Sequence, residues 1–216
     1  MYVILNAAMS ADGKIATRSG NSSISSIVDL KRVHRLRTTV DAIMIGIQTV
    51  LTDNPMLDVR FAKTKKKNPA RIIIDSTARI SLHSRILKTA NEIYTVVAVT
   101  TRAPIAKIHK IESTGAQVLV TGDKIVNIRS VFRHLERLGF DRILVEGGGE
   151  INWSVLNLGL IDEMIVMISS VVIGGRDAKT LVEGRGFSKV SRAKKMKLLS
   201  VERQTQNELV LYYQLF

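Results

Sequence analysis

The chain reads Arg142-Ile143-Leu144-Val145-Glu146-Gly147-Gly148-Gly149-Glu150, and this stretch decides the fold. A mainly apolar run of strand length leads into three glycines, and residues 151–158 continue with a helical pattern. A strand that passes through a tight turn into a helix is the repeating unit of parallel α/β sheets. The stretch therefore predicts an α/β fold with a helix just beyond the glycines.

The same alternation of strand and helix extends outward from this stretch. Strands are predicted at residues 2–9, 42–46, 71–75, 93–99, 117–120 and 142–145, and helices at 29–38, 103–114, 125–138 and 151–158. Beyond residue 162 the pattern is strand-rich, at 164–168, 197–202 and 209–215, and the last two strands flank a polar segment typical of an antiparallel hairpin. We expect one domain over residues 1–216, with three layers, a mixed, mostly parallel central sheet and a C-terminal antiparallel hairpin.

The helix predicted at residues 125–138 has the clearest amphipathic pattern. Its apolar residues recur at helical spacing and predict one buried face, formed by Ile125, Ile128, Val131, Phe132, Leu135 and Leu138. Gly139 follows at the position where a helix C-terminus favours glycine.

Composition excludes several classes of protein. The chain has no cysteine, which rules out disulfides, a cysteine nucleophile and thiolate zinc sites. It lacks a signal-peptide pattern and any apolar run near the roughly 20 residues of a membrane span, so we expect a cytoplasmic protein with no membrane partner. The histidines show no metal-ligand spacing, so we expect no metal site and surface or capping roles for His34, His83, His109 and His134.

The formal net charge of +13 fits either a nucleic-acid binder or a basic enzyme that handles phosphorylated small molecules. The basic residues are scattered, and the one tight run, at residues 63–67, is predicted to be a solvated loop. Aromatic residues make up only 5% of the chain and none interleaves with that run, so no base-stacking platform is evident. We favour the enzyme and expect no nucleic-acid partner.

The glycine turn is a candidate phosphate site. Glycines let the backbone approach a phosphate and present amide groups at the positive end of a helix. The spacing is not a full G-x-G-x-x-G, so a purely structural strand-to-helix turn is an equal alternative. The chain also lacks the signatures of zinc deaminases, serine hydrolases and Walker-type NTPases. Hydride transfer suits this inventory, because a bound cofactor carries the difficult chemistry.

Polar residues follow other predicted strands as well. Thr49 and Asp53 are four residues apart, so they share a face of a short helix that Asn54-Pro55 ends, with Arg60 beyond. This segment is either a ligand-binding wall or only a helix-terminating turn. Asp75-Ser76-Thr77 and Thr121-Gly122 come directly after strands, where ligands bind in open α/β sheets.

Four segments carry a family resemblance. They read S-A-D-G-K-I-A at residues 10–16, T-V-L-T-D-N-P-M-L-D-V-R at 49–60, V-E-G-G-G at 145–149 and I-G-G-R-D-A at 173–178. In this order they resemble the riboflavin-biosynthesis reductases, whose fold is dihydrofolate-reductase-like, across essentially the whole chain. A Trp of some relatives is replaced by Ser23.

The resemblance implies NADPH-dependent reduction of a phosphorylated ribosylaminopyrimidinone to its ribitylamino form. Together with the strand-end residues, the cofactor set comprises Ala7, Thr49, Asp53, Asp75, Ser76, Thr77, Thr121, Gly122, Gly147, Gly148, Gly149, Glu150 and Ile151. The substrate set comprises Asn21, Arg37, Leu57, Arg60 and Glu146. Lys14, Asp53 and Glu146 are the candidates for catalysis, although each also fits a purely static role.

The resemblance also implies a monofunctional homodimer of the stand-alone archaeal and fungal type, which reduces the substrate before deamination. Reduction of the deaminated pyrimidinedione is an open alternative. A second alternative is a dihydrofolate or pterin reductase, which requires a buried acid near the start of the first helix, where Asp29 is the candidate. A non-enzymatic nucleic-acid binder is the third.

Overall fold

The chain alternates strands and helices throughout most of the computed structural model, which describes residues 1–62 and 68–216. The lysine-rich run at 63–67, predicted as a solvated loop, lies outside the described residues. The strands are β1 (Tyr2–Ser10), β2 (Ala42–Gly46), β3 (Ala70–Ile74), β4 (Thr95–Val99), β5 (Gln117–Val120), β6 (Arg142–Val145), β7 (Glu163–Ser169), β8 (Met196–Thr205) and β9 (Glu208–Leu215). The helices are α1 (Ile27–Arg37), α2 (Ile47–Asp53), α3 (Arg85–Lys88), α4 (Ile105–Glu112), α5 (Ile128–Arg137) and α6 (Gly149–Asn157), with a short 3₁₀ helix at Val190–Arg192.

Two units make up the chain. The first contains residue 1 and residues 34–143, and the second contains residues 2–33 and 144–216. The boundary between the units falls within β6: Arg142 and Ile143 belong to the first unit, and Leu144 and Val145 to the second. Among the described helices, none is both long and apolar enough to cross a membrane.

In the first unit, strands β2 to β5 pair in parallel in the order β5-β4-β3-β2. Every residue of β2, β3 and β4 is buried, in keeping with their runs of Ile, Val and Ala. Because parallel strands run in one direction, the loops after these strands all leave the sheet at the same edge. This edge presents Thr49, the Asp75 loop and Thr121.

The second unit combines parallel and antiparallel pairing. β1 pairs in parallel with β7, and Ser10 and Ser169 lie opposite each other at the ends of the two strands. β9 pairs antiparallel with both β7 and β8 and forms the predicted C-terminal hairpin with β8. The α/β class with a mixed, mostly parallel sheet is therefore confirmed. A single domain over residues 1–216 stays a prediction.

Helix α5 is shorter than the sequence pattern predicts. Its buried face consists of Ile128, Val131, Phe132 and Leu135. Ile125 lies before the helix and is 76% exposed, while Leu138, at the C-cap, is 43% exposed, so their predicted burial is wrong. The helix begins late because the Asn127 side chain caps it, accepting a hydrogen bond from the Ser130 amide at 3.1 Å. Gly139 is left-handed with φ +77° beyond the C-cap, as predicted.

The first unit has a fully buried arginine in its core. Arg71 of β3 is 0% exposed, and its guanidinium donates to the Thr95 hydroxyl at 2.8 and 3.0 Å, to the Thr89 hydroxyl at 2.8 Å and to the Thr89 carbonyl at 3.0 Å. It also donates to the carbonyls of Ile93 at 3.2 Å and Met56 at 3.4 Å. Burial lowers the pKa of Arg71 to about 10, which leaves the group charged at neutral pH. This one cation links strand β3 to the chain just ahead of Leu57.

We expect Arg71→Lys to lower the free energy of unfolding by about 2 kcal/mol or more, because an ammonium cannot reproduce the planar fork of donors and leaves buried acceptors unsatisfied. The measurement is urea denaturation of both proteins. Arg137→Lys, at an exposed position at the end of α5, is the matched control and should be neutral. Equal midpoints for Arg71→Lys and wild type would contradict this account.

Candidate functional site

The glycine turn of the second unit joins β6 to α6. Glu146 follows the strand, is half-buried and takes part in a polar interaction. Gly147 has φ +99°, a left-handed conformation that favours glycine, and the Gly147–Gly148 peptide is cis. Gly148 is the N-cap residue, so α6 begins at Gly149, two residues before the helix expected from the sequence.

The start of α6 suits an anionic group. The amides of Ile151 and Asn152 both donate to the Gly148 carbonyl at 3.0 Å, whereas the amides of Gly149 and Glu150 precede these first helical bonds. Such amides and the helix dipole favour a phosphate. Glu150 is exposed, so its contribution there would come from the backbone rather than from its like-charged carboxylate.

Gly149 is held against a neighbouring loop of the same unit. A Cβ atom at this position would lie 2.6 Å from both the Thr180 carbonyl oxygen and Cγ of Glu183. The Glu183 amide donates to the Gly149 carbonyl at 3.1 Å. Asn152, which is 1% exposed, donates through Nδ2 to the Leu181 carbonyl at 2.7 Å. Residues 180–183 cannot be identified from the sequence, because nothing near them in the chain indicates this contact.

The other predicted site residues of the second unit differ in exposure and in hydrogen bonding. Lys14 is half-buried, and its ammonium donates to the Ala178 carbonyl at 3.2 Å. Ala7 lies on β1 and is half-buried. Asn21 is exposed and its side chain accepts from the Ser23 amide at 2.9 Å, so it shapes a local turn.

The predicted cofactor residues of the first unit gather at the carboxyl edge of β2 to β5. Thr49 and Asp53 lie on α2, which follows β2, and Asp53 is exposed and takes part in a polar interaction. The segments 75–77 and 121–122 follow β3 and β5. Parallel pairing of these strands places the residues that follow them at a common edge, as the sequence predicted.

Within this edge, the Asp75 side chain bonds to its own loop. It is fully buried, and its Oδ2 accepts from the Ile80 amide at 2.8 Å, so its carboxylate holds the turn that presents Ser76 and Thr77. Thr100 was missed by the sequence analysis. Its hydroxyl and amide both donate to the Ser76 carbonyl, at 2.7 and 3.1 Å, which fixes the loop after β3 to the loop after β4. Its position directly after a buried strand was the available signal.

Three predicted substrate residues of the first unit lie around Asp58. Leu57 is 2% exposed with φ +51°, and Arg37 donates to the Asp58 carbonyl at 2.9 Å. The Arg60 guanidinium pairs with the Asp58 carboxylate at 3.0 Å while nearly half of its side chain stays exposed. Arg60 therefore offers a solvent-facing cation with a fixed orientation.

His34 organises this cluster, and the surface or capping role expected for it is wrong. It is 3% exposed, and its Nδ1 accepts from the Arg60 amide at 2.9 Å. Its ring packs edge-on against Phe61, with the centroids 4.8 Å apart. Within the described ranges, no group of three or more His, Asp or Glu side chains could hold a metal ion.

A pocket of about 390 Å³ lies at the carboxyl end of β7 in the second unit. It is lined mainly by hydroxyl and amide groups, together with Glu208. Burial would raise the pKa of Glu208, but hydrogen bonds from Ser26, Gln204 and Thr205 outweigh it and lower the pKa. Ser26 and Ser170 already donate within the protein, so this wall is polar and these hydroxyls are held by internal hydrogen bonds.

The family described as RibD C-terminal domain matches residues 1–210. This chain belongs to that family. A 2,5-diamino-6-ribosylamino-4(3H)-pyrimidinone 5′-phosphate reductase from Methanothermobacter thermautotrophicus is 44% identical over 198 residues, which cover 91% of this chain and 90% of the relative. The resemblance recognised from the four sequence segments is therefore confirmed.

Solved structures agree on the fold. RibD from Acinetobacter baumannii superposes with a TM-score of 0.84 at 25% identity, and the match covers all of this chain and 58% of that protein. Dihydrofolate reductase from Enterococcus faecalis, complexed with NADP(H), superposes with a TM-score of 0.54 at 10% identity, over 99% of this chain and 96% of that one. The latter likeness concerns the fold alone, and the dihydrofolate-reductase-like class is confirmed.

We expect Gly149→Ala to destabilise the protein by about 1–3 kcal/mol, because the new Cβ requires the start of α6 or the Thr180 carbonyl to move. Urea denaturation is the measurement. Asn157→Ala, at the exposed end of the same helix, is the control and should change stability little. If Gly149→Ala were as stable as wild type, the close packing at Gly149 would be refuted.

Proposed function

We propose that this chain reduces 2,5-diamino-6-ribosylamino-4(3H)-pyrimidinone 5′-phosphate to its ribitylamino product, with NADPH as the reductant. The observation that carries the proposal is the 44% identity, over 91% of the chain, to a relative named for this reaction. The residues support it, because both units present polar groups suited to phosphates and hydroxyls. A cytoplasmic location stays a prediction.

The proposed cofactor residues fall into two sets, one in each unit. In the second unit they are Ala7, Gly147, Gly148, Gly149, Glu150 and Ile151, whose backbone amides at the start of α6 suit a phosphate group. In the first unit they are Thr49, Asp53, Ser76, Thr77, Thr121 and Gly122, with Asp75 holding their loop. When held by these residues, the cofactor would supply a hydride for the first carbon of the ring-opened sugar. The protein contributes binding, orientation and charge.

The proposed substrate residues are likewise divided. Arg37, Leu57 and Arg60 form a set in the first unit, where the half-exposed Arg60 guanidinium suits a sugar phosphate. Asn21 and Glu146 are proposed in the second unit, together with Lys14 as the group that holds the opened sugar through its ammonium. Asp53 and Glu146 are the carboxylates available to move a proton.

The alternatives have less support. A pterin reductase would require a free buried acid, but Asp29 is engaged by Arg32 Nε at 2.8 Å and by the Ser25 hydroxyl at 2.7 Å. A nucleic-acid binder rests only on the net charge of +13. Reduction of the deaminated substrate fits the same residues, and the assay below separates the two substrates.

The test is NADPH oxidation by the purified protein with the 2,5-diamino substrate and, separately, with its deaminated form. We expect turnover on the former and a lower kcat/KM on the latter. No turnover on either substrate would refute the proposed reaction. A preference for the deaminated form would show that the protein acts after deamination rather than before it.

Two variants test the residue assignments. We expect Arg60→Ala to raise the substrate KM by about 10- to 100-fold, the value of a charge-assisted hydrogen bond to phosphate. Asp53→Asn should instead reduce kcat or the affinity for NADPH by about tenfold, which corresponds to about 1.4 kcal/mol. Arg137→Ala, at an exposed position on α5, is the control. Unchanged kinetics in both variants would refute the roles assigned to Arg60 and Asp53 but would not contradict the proposed reaction.

We also propose a homodimer, with β8 as the contact. β8 is exposed at eight of its ten positions, and Leu198, Leu199 and Val201 are each at least half exposed. An exposed, apolar edge strand favours pairing with another chain. A second copy would cover it through strand pairing and apolar contact.

Light scattering tests this assembly. We expect wild type at about twice the chain mass of 23.9 kDa and the Leu199→Lys/Val201→Lys double variant at 23.9 kDa, because two buried lysines would oppose association. Val190→Lys changes a valine that is 93% exposed elsewhere in the same unit and should leave the dimer intact. A monomeric wild type, or a dimeric β8 variant, would rule out this interface.

A further inference from the structure

One segment of the second unit, residues 171–183, runs beside the loop that carries Lys14. The Ala11 amide donates to the Val171 carbonyl at 2.8 Å, and the Ile15 amide donates to the Lys179 carbonyl at 2.8 Å. Lys14 and Thr180 form an antiparallel bridge. We call residues 171–183 the bridging segment. Its backbone therefore sets the path of the chain on both sides of Lys14.

Asp12 fixes the first end of this contact. Its carboxylate accepts from the amides of Ile173 at 3.0 Å and Gly174 at 2.7 Å and from the Ser10 hydroxyl at 2.6 Å. Ser10 Oγ in turn accepts from the Lys14 amide at 2.9 Å. The Ser10 hydroxyl, and then the two amides, lower the pKa of Asp12 to about 2, so these bonds persist at any pH at which an enzyme would be assayed.

Asn152 fixes the second end, at the glycine turn. Its Nδ2 donates to the Leu181 carbonyl at 2.7 Å, and the Glu183 amide donates to the Gly149 carbonyl at 3.1 Å. Within the described chain, Asn152 Oδ1 is buried without a hydrogen-bond partner. An unsatisfied buried acceptor opposes folding, so packing alone would favour a leucine at this position. The bond to the Leu181 carbonyl is the feature that a leucine could not provide.

We propose that the bridging segment couples the glycine turn to Lys14, and that Asp12 and Asn152 are the positioning residues at its two ends. This inference rests on the proposed function, in which the start of α6 holds the cofactor and Lys14 holds the substrate. A shift at Gly149 reaches Thr180 directly, since the two are in close contact. Thr180 is paired with Lys14, so the shift continues to the lysine.

Coupling of this kind is measurable without turnover. Trp153, the single tryptophan of the chain, lies on α6 and packs edge-on against Phe187 with the ring centroids 4.9 Å apart. Its fluorescence during an NADPH titration reports cofactor binding at the start of α6. Asp12→Asn alters the end of the bridging segment that lies away from α6, and Asp12 is exposed, so this variant should fold normally. We expect it to weaken NADPH binding by about threefold or more.

The decisive experiment is a double-mutant cycle of Asp12→Asn and Asn152→Leu, with the NADPH dissociation constant and the substrate kcat/KM measured for all four proteins. If the segment couples the two ends, the change in dissociation constant and in kcat/KM of the double variant should differ from the product of the single-variant changes by about threefold or more. Independent sites would give the product within about twofold, and that result would overturn the proposal. Should Asn152→Leu fold poorly, Asn152→Ser replaces it in the same cycle.

Asp162→Asn is the matched control. Asp162 also accepts a backbone amide, that of Val3 at 2.7 Å, but it lies before β7, at the opposite end of the strand from the bridging segment. The effects of Asp162→Asn and Asn152→Leu should multiply, and Asp162→Asn alone should leave NADPH binding unchanged. If wild type binds NADPH but turns over neither substrate, the proposed reaction fails while the cycle in dissociation constants still decides the coupling.

Discussion

Parallel pairing of short, buried strands is the constraint on which the rest of this protein depends. Because β2, β3 and β4 are buried throughout, polar groups that a ligand could reach begin only where each strand ends. The loops there are hydrogen-bonded to one another: the Thr100 amide donates to the Ser76 carbonyl, and the Thr101 amide to the Gly122 carbonyl. This edge is thus anchored to the sheet although it is built from loops.

Local patterns reveal the strands well, and in β2, β3 and β4 burial on both faces leaves a nearly continuous apolar run. The bounds of β2, β5 and β6 are those expected from the sequence. Arg71 shows where this reasoning fails. A charge beside three isoleucines suggests an exposed strand end, and its burial becomes understandable only when Thr89, Thr95 and Met56 are brought around it. These partners are brought together by tertiary packing, which a local window of sequence does not show.

The same distinction applies to the candidate site residues. The positions of residues that follow strands, such as Thr49 and Ser76, could be predicted because the topology places them. The role of His34 could not be predicted, because its Nδ1 accepts a hydrogen bond from the amide of Arg60, which lies 26 positions along the chain. The contacts of the bridging segment were missed for the same reason, as its partners lie near residues 10–15 and 149–152. Long-range hydrogen bonds of the backbone leave little trace in composition or periodicity.

The glycine turn shows how one sequence signal can have several physical causes. Gly147 is required by a left-handed backbone, whereas Gly149 is required because the Thr180 carbonyl and Glu183 leave no room for a Cβ atom. The second cause has nothing to do with a phosphate approaching the backbone, which is the usual reason for glycine at such a turn. The glycines of this turn are thus accounted for by its own backbone and by a packed neighbour, and in the proposed coupling this neighbour connects the turn to Lys14.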